Sequence, residues 1–337
     1  MLKMSSFLFF NILVTSTMIT ISSYSWLSMW MGLEFNLMSI IPLLMSPPNL
    51  FSSETALKYF ITQTMASSVL LCSITVTMSL SKLFPRSLDI FLVMMLNSAL
   101  LMKMGAAPFH MWFPEIMEGL TWVNSLIMLT WQKIAPMILL MYHLKTSILL
   151  VTSIIFSSMI SGTLGINQVS LRKILAYSSI NHIGWMIASM LVSSSYWLVY
   201  FSIYSSITFN VIMVLYQSNS FYLKQLITNL NYNKLAKLIV TMNFLSLGGL
   251  PPLLGFFPKW ITISTMISSN FITMSVVLII FTLVTLYFYT RISYSALAIN
   301  IAETPLTPET PKIYHHTLSN LITLTTLFGC SLIYPIL

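Results

Sequence analysis

Apolar residues fill the 337-residue chain in long runs, and polar residues gather in the gaps between them. A helix of about 20 apolar residues crosses the hydrocarbon core of a bilayer. Read this way, the chain predicts eleven spans: 4–21, 25–45, 54–80, 88–120, 123–142, 146–165, 171–190, 195–217, 237–268, 272–297 and 318–335. The expected class is an all-α polytopic membrane protein. Most connections are short, and the two long ones, 218–236 and 298–317, are expected to be loops. The second carries Glu303, Glu309, Lys312 and the pair His315-His316. No third ligand lies near those histidines, so they read as a solvated or partner-facing loop and not as a metal site.

Spans four and nine are too long for one ordinary crossing, and both hold the same pattern. The first reads Lys103-Met-Gly105-Ala-Ala-Pro108-Phe-His110-Met-Trp112-Phe113-Pro114. The second reads Gly249-Leu-Pro-Pro252-Leu-Leu-Gly-Phe256-Phe257-Pro258, followed by Lys259. Both fit G-x-x-P-x-x-x-[WF]-F-P, in a chain with only 10 Gly and 14 Pro. Chance is a poor account of that agreement, and an internal repeat is the better one. Proline lacks a backbone donor and leaves carbonyls free, so Gly105, Pro108, Gly249 and Pro252 are expected to break helices four and nine. Irregular backbone at membrane depth survives only where protein or water satisfies it. The copies lie five crossings apart, an odd number, so the second enters from the opposite side. The expected architecture is therefore two inverted five-helix repeats, 1–145 and 146–297, with 298–337 as a polar loop and one C-terminal helix.

Composition agrees with this class. The chain is 57% hydrophobic and 7% charged, whereas soluble domains carry about 25% charged residues. Lys3 precedes an apolar run with no small-residue cleavage site after it, so the first span is expected to be retained. The net charge of +8 comes from basic residues scattered singly or in pairs. No basic stretch interleaves with aromatics, which argues against nucleic acid as a partner. The two cysteines, Cys72 and Cys330, form no CxxC; iron–sulfur and zinc sites are not expected from this chain. A G-x-G-x-x-G nucleotide loop is absent as well. Nine Lys and Arg flank spans on the N-terminal side and three (Lys82, Arg86, Lys145) flank them on the other, which puts the N-terminus on the positive-inside face.

Four charges fall where lipid forbids them. Glu34 is central in span two, and Lys133 is central in span five within Thr130-Trp-Gln-Lys-Ile-Ala-Pro136. Lys103 and Lys259 adjoin the breaks. Each costs roughly 2.5–3.5 kcal/mol at the bilayer centre, about 10 kcal/mol for the four, unless it faces protein, water or another charge. One reading is structural, with Glu34 pairing Lys103 to hold two helices together. Three lysines against one glutamate leave at least two without a carboxylate at depth. Burial disfavours a charged amine, so a lysine held there can take up and release a proton, and a moving Glu34 would switch Lys103 between the two states. Polar residues that could link the lysines are His110, Asn124, Gln132, Gln168, Asn181, His182 and Asn243. His182 and His110 are the candidate relays, because a histidine titrates near neutrality; a hydrogen-bonded core histidine is an equal reading of His182.

Several of these segments have a family likeness. Met31-Gly-Leu-Glu34-Phe-Asn36, Lys103 to His110, Met117-Glu-Gly-Leu-Thr-Trp122, Thr130 to Pro136, and Phe244-Leu-Ser-Leu-Gly-Gly-Leu-Pro-Pro252 closely resemble the antiporter-like membrane-arm subunits of respiratory NADH:ubiquinone oxidoreductase, complex I. The likeness is to the animal mitochondrial form, in a family related to cation/proton antiporters. It implies proton translocation coupled to electron transfer from NADH to ubiquinone. Glu34 and Lys103 would form the first-half charge pair, Lys133 the connecting lysine and Lys259 the terminal one. The chain itself would bind no cofactor or metal; NADH, FMN, iron–sulfur clusters and ubiquinone would belong to other subunits. Implied partners are other membrane-arm subunits, neighbouring antiporter-like ones among them, and lipids such as cardiolipin. The implied location is the mitochondrial inner membrane, N-terminus in the matrix and C-terminus in the intermembrane space. Two alternatives stay open: an Mrp-type cation/proton antiporter, which would need carboxylates at depth, and a purely architectural subunit.

Overall fold

The structure, a computed structural model, describes residues 4–45, 50–80, 87–144, 147–230, 234–251 and 253–298. Pro252, the loop with His315-His316 and the expected C-terminal helix lie outside the described residues. Within them the chain folds as helices: α1 Met4–Ser22, α2 Trp26–Leu44, α3 Leu50–Leu80, α4 Ser87–Met104, α5 Trp112–Gly119, α6 Trp122–Leu129, α7 Trp131–Met141, α8 Ser147–Gly165, α9 Leu171–Val192, α10 Ser194–Gln217, α11 Leu223–Leu230, α12 Lys234–Gly248, α13 Phe256–Ser268 and α14 Ile272–Ala298. Seven stretches are long and apolar enough to cross a membrane as one element: α1, α2, α3, α6 with α7, α8, α10 and α14. This is a polytopic helical membrane protein.

The serine and threonine hydroxyls scattered through these helices bond back to carbonyls three or four residues earlier. Ser16 reaches Leu13 O at 2.8 Å, Ser153 reaches Leu150 O at 2.8 Å and Thr285 reaches Thr282 O at 2.9 Å. Each hydroxyl is satisfied by its own helix, so it needs no partner from elsewhere in a solvent that offers none.

Two compact units divide the chain, Met1–Ser157 and Ser158–Leu337. In the first, α1 packs along α2, α3 along α2 and α4, α5 against α3, and α7 against α4. Expected span four is two helices, α4 and α5, separated by residues 105–111. Expected span five is also interrupted, at Thr130, between α6 and α7.

In the second unit α9 is the core helix, with α10, α13 and α14 against it and α12 against α10 and α14. From Ile174 to Met190 every residue of α9 is buried. That covering explains its content: Ser178, Ser179, Asn181, His182 and Ser189 are tolerable because protein, not lipid, surrounds them. Expected span nine is again a pair, α12 and α13, separated by residues 249–255. The gap 218–236, expected to be a loop, instead carries the short helix α11. Just before α11 the chain pairs with the segment preceding α9: Leu171 N–H donates to Phe221 O at 3.0 Å and Leu223 N–H to Val169 O at 3.4 Å.

Candidate functional site

Both helix breaks are made by glycine. Helix α4 ends at Met104 and Gly105 follows at φ +73°. Gly105 N–H donates to Met102 O at 3.2 Å and Ala106 N–H to Leu101 O at 3.0 Å. Helix α12 ends at Gly248 and Gly249 follows at φ +82°. Gly249 N–H donates to Ser246 O at 3.0 Å and Leu250 N–H to Leu245 O at 3.3 Å. Each is a Schellman cap, which needs a residue in the left-handed region and so selects glycine. Of the residues expected to break these helices, the glycines stand at the helix ends. Pro108 comes three residues after Gly105, when α4 has already stopped.

The side chains that reach the two helix ends differ. In the first unit the Trp112 indole N–H donates to Met102 O at 3.2 Å. In the second the Lys259 ammonium donates to Gly248 O at 2.8 Å and to Leu247 O at 3.3 Å. Lys259 sits in the first turn of α13, 6% exposed, and reaches back to the end of α12. Helix C-termini carry partial negative charge, so an ammonium there is favoured, and charged donors make the stronger hydrogen bonds. Gly249 makes room for it as well: a Cβ at that position would lie 2.9 Å from both Nζ and Cδ of Lys259.

The other interior charges meet in the first unit. Lys103, 7% exposed, occupies the last turn of α4, and its carbonyl accepts from Gln63 Nε2 at 3.3 Å. Lys133, 1% exposed, stands on α7 with its ammonium 5.5 Å from the centre of the Phe113 ring, a cation–π distance. Beside it, Gln132 and Asn36 exchange two hydrogen bonds, Gln132 Nε2 to Asn36 Oδ1 at 2.9 Å and Asn36 Nδ2 to Gln132 Oε1 at 3.2 Å. Tyr59 OH donates to the same Gln132 oxygen at 3.5 Å.

Two small cavities adjoin this cluster. Lys103, Tyr59 and Gln132 line both; Asn36 and Gln63 line the first, and Phe113 and Lys133 the second. Each offers about 10 Å³ to the centre of a water molecule, room for roughly one water.

Glu34 is half-buried on α2, with Oε1 buried and lacking a hydrogen bond. Among the described residues it makes no ion pair with Lys103 within 4.0 Å; the two act on each other through space. On the surface Lys58 pairs with Glu54 at 3.0 Å and with Glu115 at 3.3 Å.

The remaining linking candidates scatter. His110 folds back on its own loop, Nδ1 lying 3.2 Å from Pro108 O, with Nε2 buried and lacking a hydrogen bond. Asn124 Nδ2 donates to Leu43 O at 2.8 Å, tying α6 to the end of α2. Gln168 donates to Leu164 O on its own helix end. In the second unit His182 Nδ1 lies 2.9 Å from Tyr200 OH, its ring 4.9 Å from that of Tyr204, and Asn181 donates to Thr285 Oγ1 at 3.3 Å. Asn243 is buried on α12, its Nδ2 lacking a hydrogen bond. Three members of the first-unit cluster, Asn36, Tyr59 and Gln63, were not singled out from the sequence. A signal existed: Tyr59 and Gln63 are four apart, hence on one helix face, and Asn36 stands two residues after Glu34.

The transmembrane family model described as NADH:quinone oxidoreductase/Mrp antiporter matches residues 23–285. NADH-ubiquinone oxidoreductase chain 2 of Anopheles gambiae is 46% identical over 301 residues, 89% of this chain and 88% of that protein. The chain 2 of Locusta migratoria is 45% identical over 290 residues, 86% and 84% of the two chains. The chain 2 of Equus caballus is 40% identical over 304 residues, 87% and 86%. Among solved structures, a chain of respiratory complex I from Thermus thermophilus superposes with a TM-score of 0.85 at 23% identity, covering 97% of this chain and 79% of its own. A chain of the Mrp complex from Dietzia gives 0.73 at 13% identity, covering 89% and 61%; at such identities the likeness is one of fold. The extent of the sequence matches decides the assignment: this chain belongs to the NADH-ubiquinone oxidoreductase chain 2 family, within the NADH:quinone oxidoreductase/Mrp antiporter membrane proteins.

Proposed function

We propose that this chain is a core membrane-arm subunit of respiratory complex I and takes part in moving protons across the mitochondrial inner membrane as electrons pass from NADH to ubiquinone. The observation that carries this reading is the burial of three lysines inside an apolar helical protein: Lys103, Lys133 and Lys259 are 7%, 1% and 6% exposed. A lysine kept from lipid and bulk water, beside space for water, is suited to take up and release protons. Lys103 would exchange protons near Glu34, Lys133 would connect onward and Lys259 would be the terminal carrier. His182, against Tyr200, and His110 are the relays of this reading. Gly105 and Gly249 shape the breaks that these amines adjoin, with Pro108 and Pro252 beyond them.

The finer architecture follows the same reading. Eleven spans form two inverted five-helix repeats, 1–145 and 146–297, with one helix beyond them. The N-terminus faces the matrix and the C-terminus the intermembrane space. NADH, FMN, iron–sulfur clusters and ubiquinone belong to partner subunits, and this chain works against neighbouring membrane-arm subunits and lipids such as cardiolipin. A cation/proton exchanger has the Mrp fold likeness in its favour, but sodium would call for carboxylates at depth, where Glu34 stands against three lysines.

Replacing Lys133 with methionine in the assembled complex tests the proposal. It is expected to lower the number of protons moved per NADH oxidised in closed vesicles. An unchanged ratio would favour the architectural reading.

A further inference from the structure

Gly255 opens α13 with φ −64° and ψ −16°, an ordinary helical conformation that any residue adopts. Unlike Gly105 and Gly249, it is not called for by its backbone angles. What calls for glycine here is close approach. Gly255 is buried against Ser246, in the last turn of α12. A Cβ at this position would overlap the Ser246 carbonyl oxygen and lie 2.7 Å from the carbonyl carbon. The obstacle is main chain, so no side-chain rotation relieves it.

The chain makes this approach by turning tightly out of α12. After the cap at Gly249, Leu253 N–H donates to Leu250 O at 2.9 Å, Phe256 N–H to Leu253 O at 3.0 Å and Phe257 N–H to Leu254 O at 3.2 Å. These three-residue steps bring the first turn of α13 onto the end of α12. Gly255, Lys259, Thr262 and Met266 recur at helical spacing and all four are buried, so they share one face of α13. Lys259 therefore stands one turn beyond the contact. Its stem crosses Gly249: a Cβ there would lie 2.9 Å from Cδ and Nζ and 3.2 Å from Cε. Its amine donates to Gly248 O at 2.8 Å and to Leu247 O at 3.3 Å. The second bond is near the limit for a hydrogen bond, so a small retreat of α13 would break it.

The first repeat supplies the contrast. Gly255 aligns with Met111, as Lys259 does with Glu115. Met111 precedes α5 with a full side chain, 67% exposed. One turn on, Glu115 lies at the surface beside Lys58, its side chain 60% exposed. In the copy without this glycine, the residue one turn later is turned to the surface.

We propose that Gly255 is the positioning residue for Lys259. By letting the backbone of α13 rest on Ser246, it sets the reach that places the amine on the Gly248 and Leu247 carbonyls. This role rests on the reading of Lys259 as the terminal proton carrier.

The test uses the assembled complex in closed vesicles and reads protons moved per NADH oxidised. Gly255→Ala is expected to lower the ratio toward that of Lys259→Met. Gly162→Ala is the control for a methyl added elsewhere in the second unit, where the Cβ would meet Val284 at an ordinary 3.4 Å; it is expected to keep the wild-type ratio. A role of Gly255 in packing alone would lower the yield of complex without moving the ratio. The wild-type ratio in assembled Gly255→Ala overturns the proposal, and so does an equal fall in Gly162→Ala. Where Gly255→Ala does not assemble, an electron-microscopy map of the wild-type complex that shows side chains decides. The amine on the two carbonyls with Gly255 against Ser246 supports the role; the amine elsewhere with that contact in place overturns it. Lys259→Met separates the two layers. If it keeps the wild-type ratio, the carrier reading of Lys259 fails; if it lowers the ratio and Gly255→Ala does not, the positioning role alone fails.

Discussion

The break after α4 and the break after α12 share a backbone and differ in chemistry. Both end in a glycine at positive φ, +73° and +82°, with the same pair of capping hydrogen bonds. In the first, an uncharged indole caps the helix end and the nearby lysine, Lys103, belongs to the helix that has just finished. In the second, Phe256 stands where Trp112 does and has no donor to give; the ammonium of Lys259, from the helix about to begin, takes the carbonyls instead. The position aligned with Lys259 in the first copy is Glu115, which lies at the surface and pairs with Lys58. The lesson is that a repeat preserves what the backbone demands while its charged positions change sign and helix. The glycine is dictated by conformation; the cation sits before the gap in one copy and after it in the other.

This comparison can be broken most forcefully at the glycines. Alanine at either one meets the left-handed penalty of about 1–2 kcal/mol. At Gly105 the added Cβ lies 3.1 Å from Phe113 Cβ and 3.3 Å from Trp112, so the cost falls on packing. At Gly249 it falls on the Lys259 side chain. Gly249→Ala is expected to lower both the melting temperature and the protons moved per NADH. Gly105→Ala is expected to lower the melting temperature by as much or more, with the smaller effect on that ratio. Equal effects on the ratio would mean that the ammonium cap is not what distinguishes the copies. Next in size is Trp112→Phe, which gives the first copy the residue type of the second. It removes one indole hydrogen bond and should cost about 1 kcal/mol, read as a lower denaturation midpoint of the isolated complex. Smallest is Glu115→Gln. Its partner Lys58 keeps Glu54 at 3.0 Å, and exposed pairs contribute little, so no change in thermal midpoint or pumping ratio is expected.

How much of this was legible beforehand depends on the distance over which each feature is fixed. The seven membrane-length stretches lie within the predicted spans to within a few residues, because lipid selects apolar length locally. The break points were legible from the repeat, in which glycine and proline were both named; only the backbone shows that the glycine is the residue at positive φ where each helix ends. The interruption at Thr130 left no comparable mark, since threonine is common here and its hydroxyl simply bonds Leu126 O at 2.7 Å. The interior lysines were legible as anomalies of charge. Their neighbours were not, because Gln63 meets Lys103 across 40 residues and Asn36 meets Gln132 across 96.

By itself the sequence determined the solvent of this protein, the two glycine sites where helices must stop and the identity of the charges held inside. Those follow from free energies that one residue or one short segment carries alone: transfer of a side chain into lipid, and the backbone conformation that only glycine takes up without strain. The tertiary structure decided what each charge touches: carbonyls for Lys259, an aromatic ring for Lys133, and, for Lys103, a carbonyl tied to Gln63 and no ion pair with Glu34 within 4.0 Å. Contacts of a few ångströms between residues far apart in the chain depend on how helices pack, and a one-dimensional pattern does not record that.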